Sequence, residues 1–253
     1  MGHDFEDIEV KRDAVAILES QLKRKRKPCM IGTGAMCDPY THLENEMQIT
    51  RRCLALIEKY GFGLAIQTKS TRILRDMDIL KAINAKTKCV VQITLTTYDE
   101  DLCRQIEPNV STTLERFKVL DAMKESGIPT IVWLCPILPF INDTEENLRG
   151  LLDYCVKAEV RGILCFGFGV TLRNGNREYF YAKLDQLFPG MKQQYIRQFG
   201  NAYSCISSNN SQLMNVFRAE CKRQDIMYKT NDVFTYLKAF ESKEEQRPLF
   251  CMT

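Results

Sequence analysis

The sequence predicts an α/β fold, a parallel sheet covered by helices, followed by a helical extension. Three observations carry this prediction. Five short β-rich runs recur about every 30 residues through the first two thirds of the 253-residue chain, and they are apolar on both faces, as strands covered on each side must be. Helix-period patterns fill the intervals between them. After Leu172 the strand signal stops and helical patterns follow one another.

The chain opens with a helix: residues 6–25 place Ile8, Val15, Leu18 and Leu22 on one face. The basic run Lys23 to Lys27 closes it, where the helix dipole favours cations. The first strand is "CMIGTGAM" (29–36). Residues 44–60 carry Ile49, Cys53, Leu56 and Ile57 on a second helix, ended by Gly61 at the C′ position, and "GLAIQTKS" (63–70) follows at once. A helix near 71–84 leads into "CVVQITLTT" (89–97). Thr112 with Glu115 reads as a capping box for a helix over 112–126, and Gly127 ends it before "TIVWLCPIL" (130–138). Asp143 with Glu146 reads as a second capping box, for a helix over 144–159, and "GILCFGFGVTL" (162–172) is the fifth strand.

In the extension, "RNGNREYFYAKLDQLF", "PGMKQQYIRQFG", "SQLMNVFRAECKRQ" and "NDVFTYLKAFESK" read as helices separated by Asn, Gly, Ser and Pro. The charged tail "ESKEEQRPLF" is expected to fray unless Leu249 and Phe250 dock. The expected division is residues 1–172 as the sheet domain and 173–253 as a helical C-terminal extension. The helix-first order is unusual, because an α/β barrel normally starts with a strand.

Composition narrows the function classes. At 45% hydrophobic and 26% charged residues, the chain suits an ordinary globular domain with a core that needs no staples. A net charge of +3 gives no strong nucleic-acid signal. No apolar run is long enough to span a membrane, and no signal region opens the chain. Eleven cysteines are spread from Cys29 to Cys251, mostly within apolar runs. That is the usage of reduced, buried thiols in a cytoplasmic protein rather than of a disulfide framework. No two cysteines are closer than Cys29 and Cys37, so no C-x2-C or C-x3-C metal spacing exists. With two histidines, His3 and His42, and no G-x-S-x-G or H-E-x-x-H, hydrolytic chemistry has little support.

Parallel α/β folds bind ligands at the C-terminal ends of their strands. Here those ends carry Gly32 to Asp38, Thr68 to Ser70, Thr94 to Thr97, Cys135 to Leu138 and Gly167 to Arg173. Lys69, just past an apolar strand, is placed to hold a carboxylate or phosphate, or equally to snorkel at the sheet margin. The loop "CMIGTGAMCDPY" lacks the third glycine of the dinucleotide fingerprint and the Gly-Lys-Ser/Thr of the P-loop. On its own it is as consistent with a tight turn as with a cofactor. Cys135, within an apolar strand, reads as an inert thiol.

Taken together, "IGTGAMCDPY", "IQTKS", "ITLTTYDEDLCRQIEPN", "LCPILPFINDTEEN", "FGVTLRNGNREYFYAKLDQLFPGMKQQYIRQFG" and "AYSC" resemble the radical SAM proteins of the spore photoproduct lyase-like family, over about Asp4 to Tyr236. The resemblance implies a partial (β/α)6 radical SAM-type barrel. It implies two cofactors, S-adenosylmethionine and a 4Fe-4S cluster, which together generate a 5′-deoxyadenosyl radical that abstracts hydrogen from substrate. An electron donor such as flavodoxin or ferredoxin is implied as partner. By the same resemblance, Gly34, Cys37 and Asp38 would receive the cofactor's amino group and Lys69 its carboxylate. Thr94 and Thr96 would lie near the ribose, and Cys135 and Pro136 would present backbone to the adenine.

Two departures qualify this. The family's C-x3-C-x2-C cluster motif is absent, and its place would precede "GHDFEDIEVK". The first strand and the metal ligands are therefore expected to be missing, and the chain alone is expected to be inactive. Where the photoproduct lyase carries a hydrogen-donor cysteine, this chain has Ala35, which argues against thymine-dimer repair and leaves the substrate open. The alternatives are a non-catalytic binding module and another nucleotide-binding α/β protein.

Overall fold

The computed structural model describes residues 9–243. In chain order the elements are α1 (Ala14–Arg24), β1 (Met30–Thr33), α2 (Glu44–Met47), α3 (Ile49–Lys59), β2 (Gly63–Thr68), a 3-10 helix (Thr71–Asp76), α4 (Met77–Lys86), β3 (Cys89–Leu95), α5 (Glu100–Ile106), α6 (Thr113–Glu125), β4 (Thr130–Leu134), α7 (Glu145–Lys157) and β5 (Gly162–Leu164). They continue with β6 (Gly169–Thr171), α8 (Asn176–Leu187), α9 (Met191–Phe199), β7 (Ser204–Ile206), α10 (Asn210–Arg223) and α11 (Thr230–Lys238). The five strands β1 to β5 form one parallel sheet, as predicted; they follow one another in sequence order, with β1 at an edge.

Strand alternation divides the sheet into two faces. Leu64, Ile66, Val91, Ile93, Val132, Leu134 and Ile163 join the main core with residues of α3, α4, α6, α7 and α10. Ala65, Val90, Ile131 and Leu164 face the other way and are covered by Val233 and Leu237 of α11. Lys88, next to β3, fastens that helix. Its ammonium donates to the carbonyls of Tyr236 (2.9 Å) and Ala239 (3.2 Å), pairs with Glu241 (2.7 Å) and lies 3.8 Å from the centre of the Tyr236 ring. Above the part covered by α11 the same face becomes polar. Gln67 Nε2 donates to Thr94 Oγ1 (3.2 Å), and Trp133 Nε1 donates to Gln92 Oε1 (2.9 Å). The result is an open half-barrel with an apolar floor and a polar upper wall.

Local signals placed three helix ends. Gly61 and Gly127 take φ +67 and +65, the left-handed geometry of a C′ glycine. Thr112 and Glu115 form the expected reciprocal capping box. The second expected box is corrected: Thr144, not Asp143, caps α7 by accepting from Asn147 N–H (3.1 Å), because the Asp143 carboxylate is engaged by the Ser207 hydroxyl. The helix expected over 44–60 is broken at Gln48, which has φ +48, and the Glu44 carboxylate accepts from Arg51 N–H (3.3 Å) in the first turn of α3. The segment at 71–84 begins as a 3-10 helix, and α5 had no predicted counterpart.

The run at 162–172 is not one strand. The chain leaves the sheet after Leu164 and turns at Gly167 (φ +108), and β6 pairs antiparallel with β7. A Cβ on Gly169 would lie 2.5 Å from the Cys205 carbonyl oxygen, so this ribbon needs glycine there. The extension is accordingly not purely helical. The β6–β7 ribbon, α8 and α9 enclose a satellite core around Leu172, Leu184, Tyr195 and Cys205. A parallel bridge between Gly162 and Met227 continues the main sheet beyond β5. No described helix is long and apolar enough to cross a membrane. His3 and the tail from residue 244 lie outside the described residues.

Candidate functional site

The loop after β1 is anchored to the end of β2 by Asp38. Its Oδ1 accepts from Tyr40 N–H (2.9 Å) and from the Thr68 hydroxyl (2.7 Å), and its Oδ2 accepts from Lys69 N–H (2.8 Å). Gly34 makes this approach possible: its φ is +96, and a Cβ would lie 1.9 Å from the Gln67 carbonyl oxygen. The glycine is thus required by backbone contact between β2 and the loop, whatever the loop binds. Cys37 is exposed beside Asp38. Gly32 is different, because nothing lies within 4 Å of an added Cβ. It leaves open space on the edge strand, level with Ala65.

At the ends of β2 and β3 the chain brings together three charged side chains. The Lys69 ammonium pairs with Glu107 Oε1. Glu107 Oε2 accepts from the Thr96 hydroxyl (2.7 Å) and from Arg116 Nη2 (2.9 Å). Arg116 is fully buried, and it also donates to the carbonyls of Ser111 (2.7 Å) and Thr94 (3.0 Å). Burial alone would raise the Glu107 pKa. The charges of Lys69 and Arg116 outweigh it and hold the carboxyl at about 2, against an ordinary 4.5.

The sign of the pH effect follows. A depressed carboxyl contributes stability that is fully present above pH 4.5 and lost as pH falls from there towards about 2. Urea midpoints measured across that window should therefore fall more steeply for the wild type than for Glu107→Gln; parallel curves would show that Glu107 is not held in this way.

Of the residues singled out from sequence, Lys69 and Thr96 meet at Glu107, Thr94 bonds to Gln67 and receives Arg116, and Asp38 holds the loop. Cys135 is half-buried. Burial raises its thiol pKa, with Lys69 opposing and Glu107 adding, so it is not an activated nucleophile. The Cys135–Pro136 bond is cis. Glu107 and Arg116 carried no role in the sequence reading. One signal was available for Arg116: it lies on the helix stripe of Thr113, Leu120 and Met123, where a charge demands a buried partner. A depression of about 560 Å³ lies elsewhere, lined by Tyr98, Asp99, Ile141 and Asn147 among others. Its rim carboxylates of Asp99 and Asp101 are occupied as a helix cap and an ion pair.

S-adenosylmethionine fits the residues present, on the chemistry of the donors: a partly exposed ammonium, hydroxyls on the strand ends, and open space at Gly32. A 4Fe-4S cluster does not fit them. Among the described residues no three His, Cys, Asp or Glu side chains come together as a metal site.

Comparison with known proteins bears on both groups. The family model described as the Radical SAM superfamily matches residues 4–155. An uncharacterized protein of Mycobacterium tuberculosis is 27% identical over 198 residues, covering 77% of this chain and 57% of that one. An uncharacterized protein of Methanocaldococcus jannaschii is 30% identical over 128 residues, covering 51% of this chain and 48% of that one. The chain thus spans about half the length of the curated relatives it matches. In fold it is similar to a spore photoproduct lyase solved with a dinucleoside spore photoproduct, with a TM-score of 0.59 at 12% identity over 87% of this chain and 66% of that one.

Proposed function

The chain belongs to the radical SAM superfamily, and from that premise we propose that it binds S-adenosylmethionine at the C-terminal ends of β1 to β4, with Lys69 receiving the cofactor carboxylate. The observation that carries the reading is Lys69, whose side chain is 28% exposed at the rim of the polar wall and whose backbone is held there by the N–H bond to Asp38. Thr94 and Thr96 offer polar groups for the ribose. The loop through Gly34, Cys37 and Asp38 borders the amino end, and Cys135 and Pro136 border the base. S-adenosylmethionine, when bound in a complete radical SAM enzyme, supplies the 5′-deoxyadenosyl group that abstracts hydrogen from substrate, and such an enzyme is the activity we propose. This chain's residues bind and orient the nucleoside.

A cytoplasmic setting, and an electron donor such as flavodoxin or ferredoxin, belong to the proposal. The substrate stays open. The photoproduct of the similar fold is not carried over, because Ala35 stands where that enzyme's hydrogen donor would be.

Lys69→Ala tests the reading. A charge-assisted hydrogen bond contributes about 1.5–3 kcal/mol, so ligand-observed NMR titration with S-adenosylhomocysteine should show at least about tenfold weaker binding. Lys69→Arg should recover only part of it, because a planar fork replaces a point charge. Equal affinity for wild type and Lys69→Ala would return Lys69 to a snorkelling role.

A further inference from the structure

Glu107 occupies the group that the cofactor needs. Among the described residues it is the acceptor for the Lys69 ammonium. We infer that Glu107 is a tethered competitor for Lys69: one carboxylate oxygen holds the ammonium in the ligand-free protein and yields it to the carboxylate of an incoming nucleoside. The inference rests on the cofactor reading above and adds a residue that sets its affinity.

The geometry favours exchange rather than a fixed pair. The two oxygens of Glu107 have separate partners. Oε2 is bound to Thr96 and Arg116, and Oε1 meets Lys69. When Lys69 leaves, the carboxylate keeps a charged partner and is not orphaned, so the usual penalty for breaking a buried pair is avoided. Arg116 cannot follow a ligand, because it is fully buried and held by three acceptors on different parts of the chain. Lys69 can follow, since it is partly exposed on a flexible stem with two further donors. The charges agree. Two cations share one carboxylate, so a second carboxylate brings the group to neutrality. Asp38 does not fill that place, as it meets Lys69 through the backbone N–H and not the ammonium.

The test uses the full chain and two nucleosides, S-adenosylhomocysteine, which carries the carboxylate, and 5′-methylthioadenosine, which lacks it. Glu107→Gln removes the competing charge. Glu107→Asp withdraws it by one methylene while leaving a carboxylate for Arg116, and serves if the glutamine variant melts. Both should bind S-adenosylhomocysteine about fivefold more tightly, the change that a partly exposed ion pair implies. Neither should alter binding of 5′-methylthioadenosine, and the gain should vanish in a Lys69→Ala background. A merely structural Glu107 would give unchanged or weaker binding, and that result, or an equal gain with both nucleosides, overturns the inference while leaving the Lys69 reading intact. Absence of binding by the wild type and every variant overturns both.

Discussion

Arg116→Ala is expected to remove about 3–5 kcal/mol of stability, the usual loss when one partner of a buried ion pair is deleted. The guanidinium is fully buried and serves the carbonyls of Ser111 and Thr94 and the Glu107 carboxylate. Alanine would leave those three acceptors short of a donor and leave a void among the strand ends. A domain whose total stability is about 5–15 kcal/mol cannot lose this much unnoticed. Urea unfolding followed by circular dichroism reads it directly. Arg116→Lys should recover only part of the loss, because one ammonium cannot reproduce a fork that reaches three acceptors. A midpoint for Arg116→Ala equivalent to less than about 1 kcal/mol of change, within the range of ordinary substitutions, would mean that the triad does not hold the strand ends together.

Gly34→Ala is the second large effect. The new methyl would lie 1.9 Å from the Gln67 carbonyl oxygen, a backbone atom that cannot rotate aside, at a φ of +96. Left-handed strain and overpacking each contribute about 1–3 kcal/mol, so a loss of roughly 3 kcal/mol or more is expected, accompanied by release of the loop that Asp38 anchors. Gly32→Ala is the matched control. Its added Cβ meets nothing within 4 Å, and its thermal midpoint should stay close to wild type. Equal melting of the two variants would show that the loop does not pack on β2 as described.

What could be read from the sequence was what is decided locally. Gly61, Gly127 and Thr112 announce helix ends because the backbone geometry at each is set by neighbours within a turn. The parallel sheet was legible because each strand carries apolar residues on both faces. The ribbon of β6 and β7 was not. Each strand is only three residues long, and its partner lies beyond two helices, so nothing near "GVT" distinguishes it from a continuation of β5. Asp143 and Thr144 show the same limit, since either could cap α7 until the distant Ser207 hydroxyl engages the aspartate. At the site, Lys69 could be named from its place after a strand. Its partner could not, because Glu107 lies 38 residues further on and becomes significant only when the ends of β2 and β3 converge.

The seating of α11 beneath the sheet has a consequence for how the protein is made. The strands of the main sheet are complete once Leu164 has been synthesised, but Ala65, Val90, Ile131 and Leu164 acquire their cover only when Val233 and Leu237 arrive. At about 5–20 residues per second, the ribosome leaves that apolar face bare for several seconds after the last strand is made. Through that interval Ala65, Val90, Ile131 and Leu164 have no Val233 or Leu237 to pack against, whatever the state of the sheet. Lys88 is already in place throughout, with its ammonium waiting at the sheet's lower margin for the carbonyls of Tyr236 and Ala239.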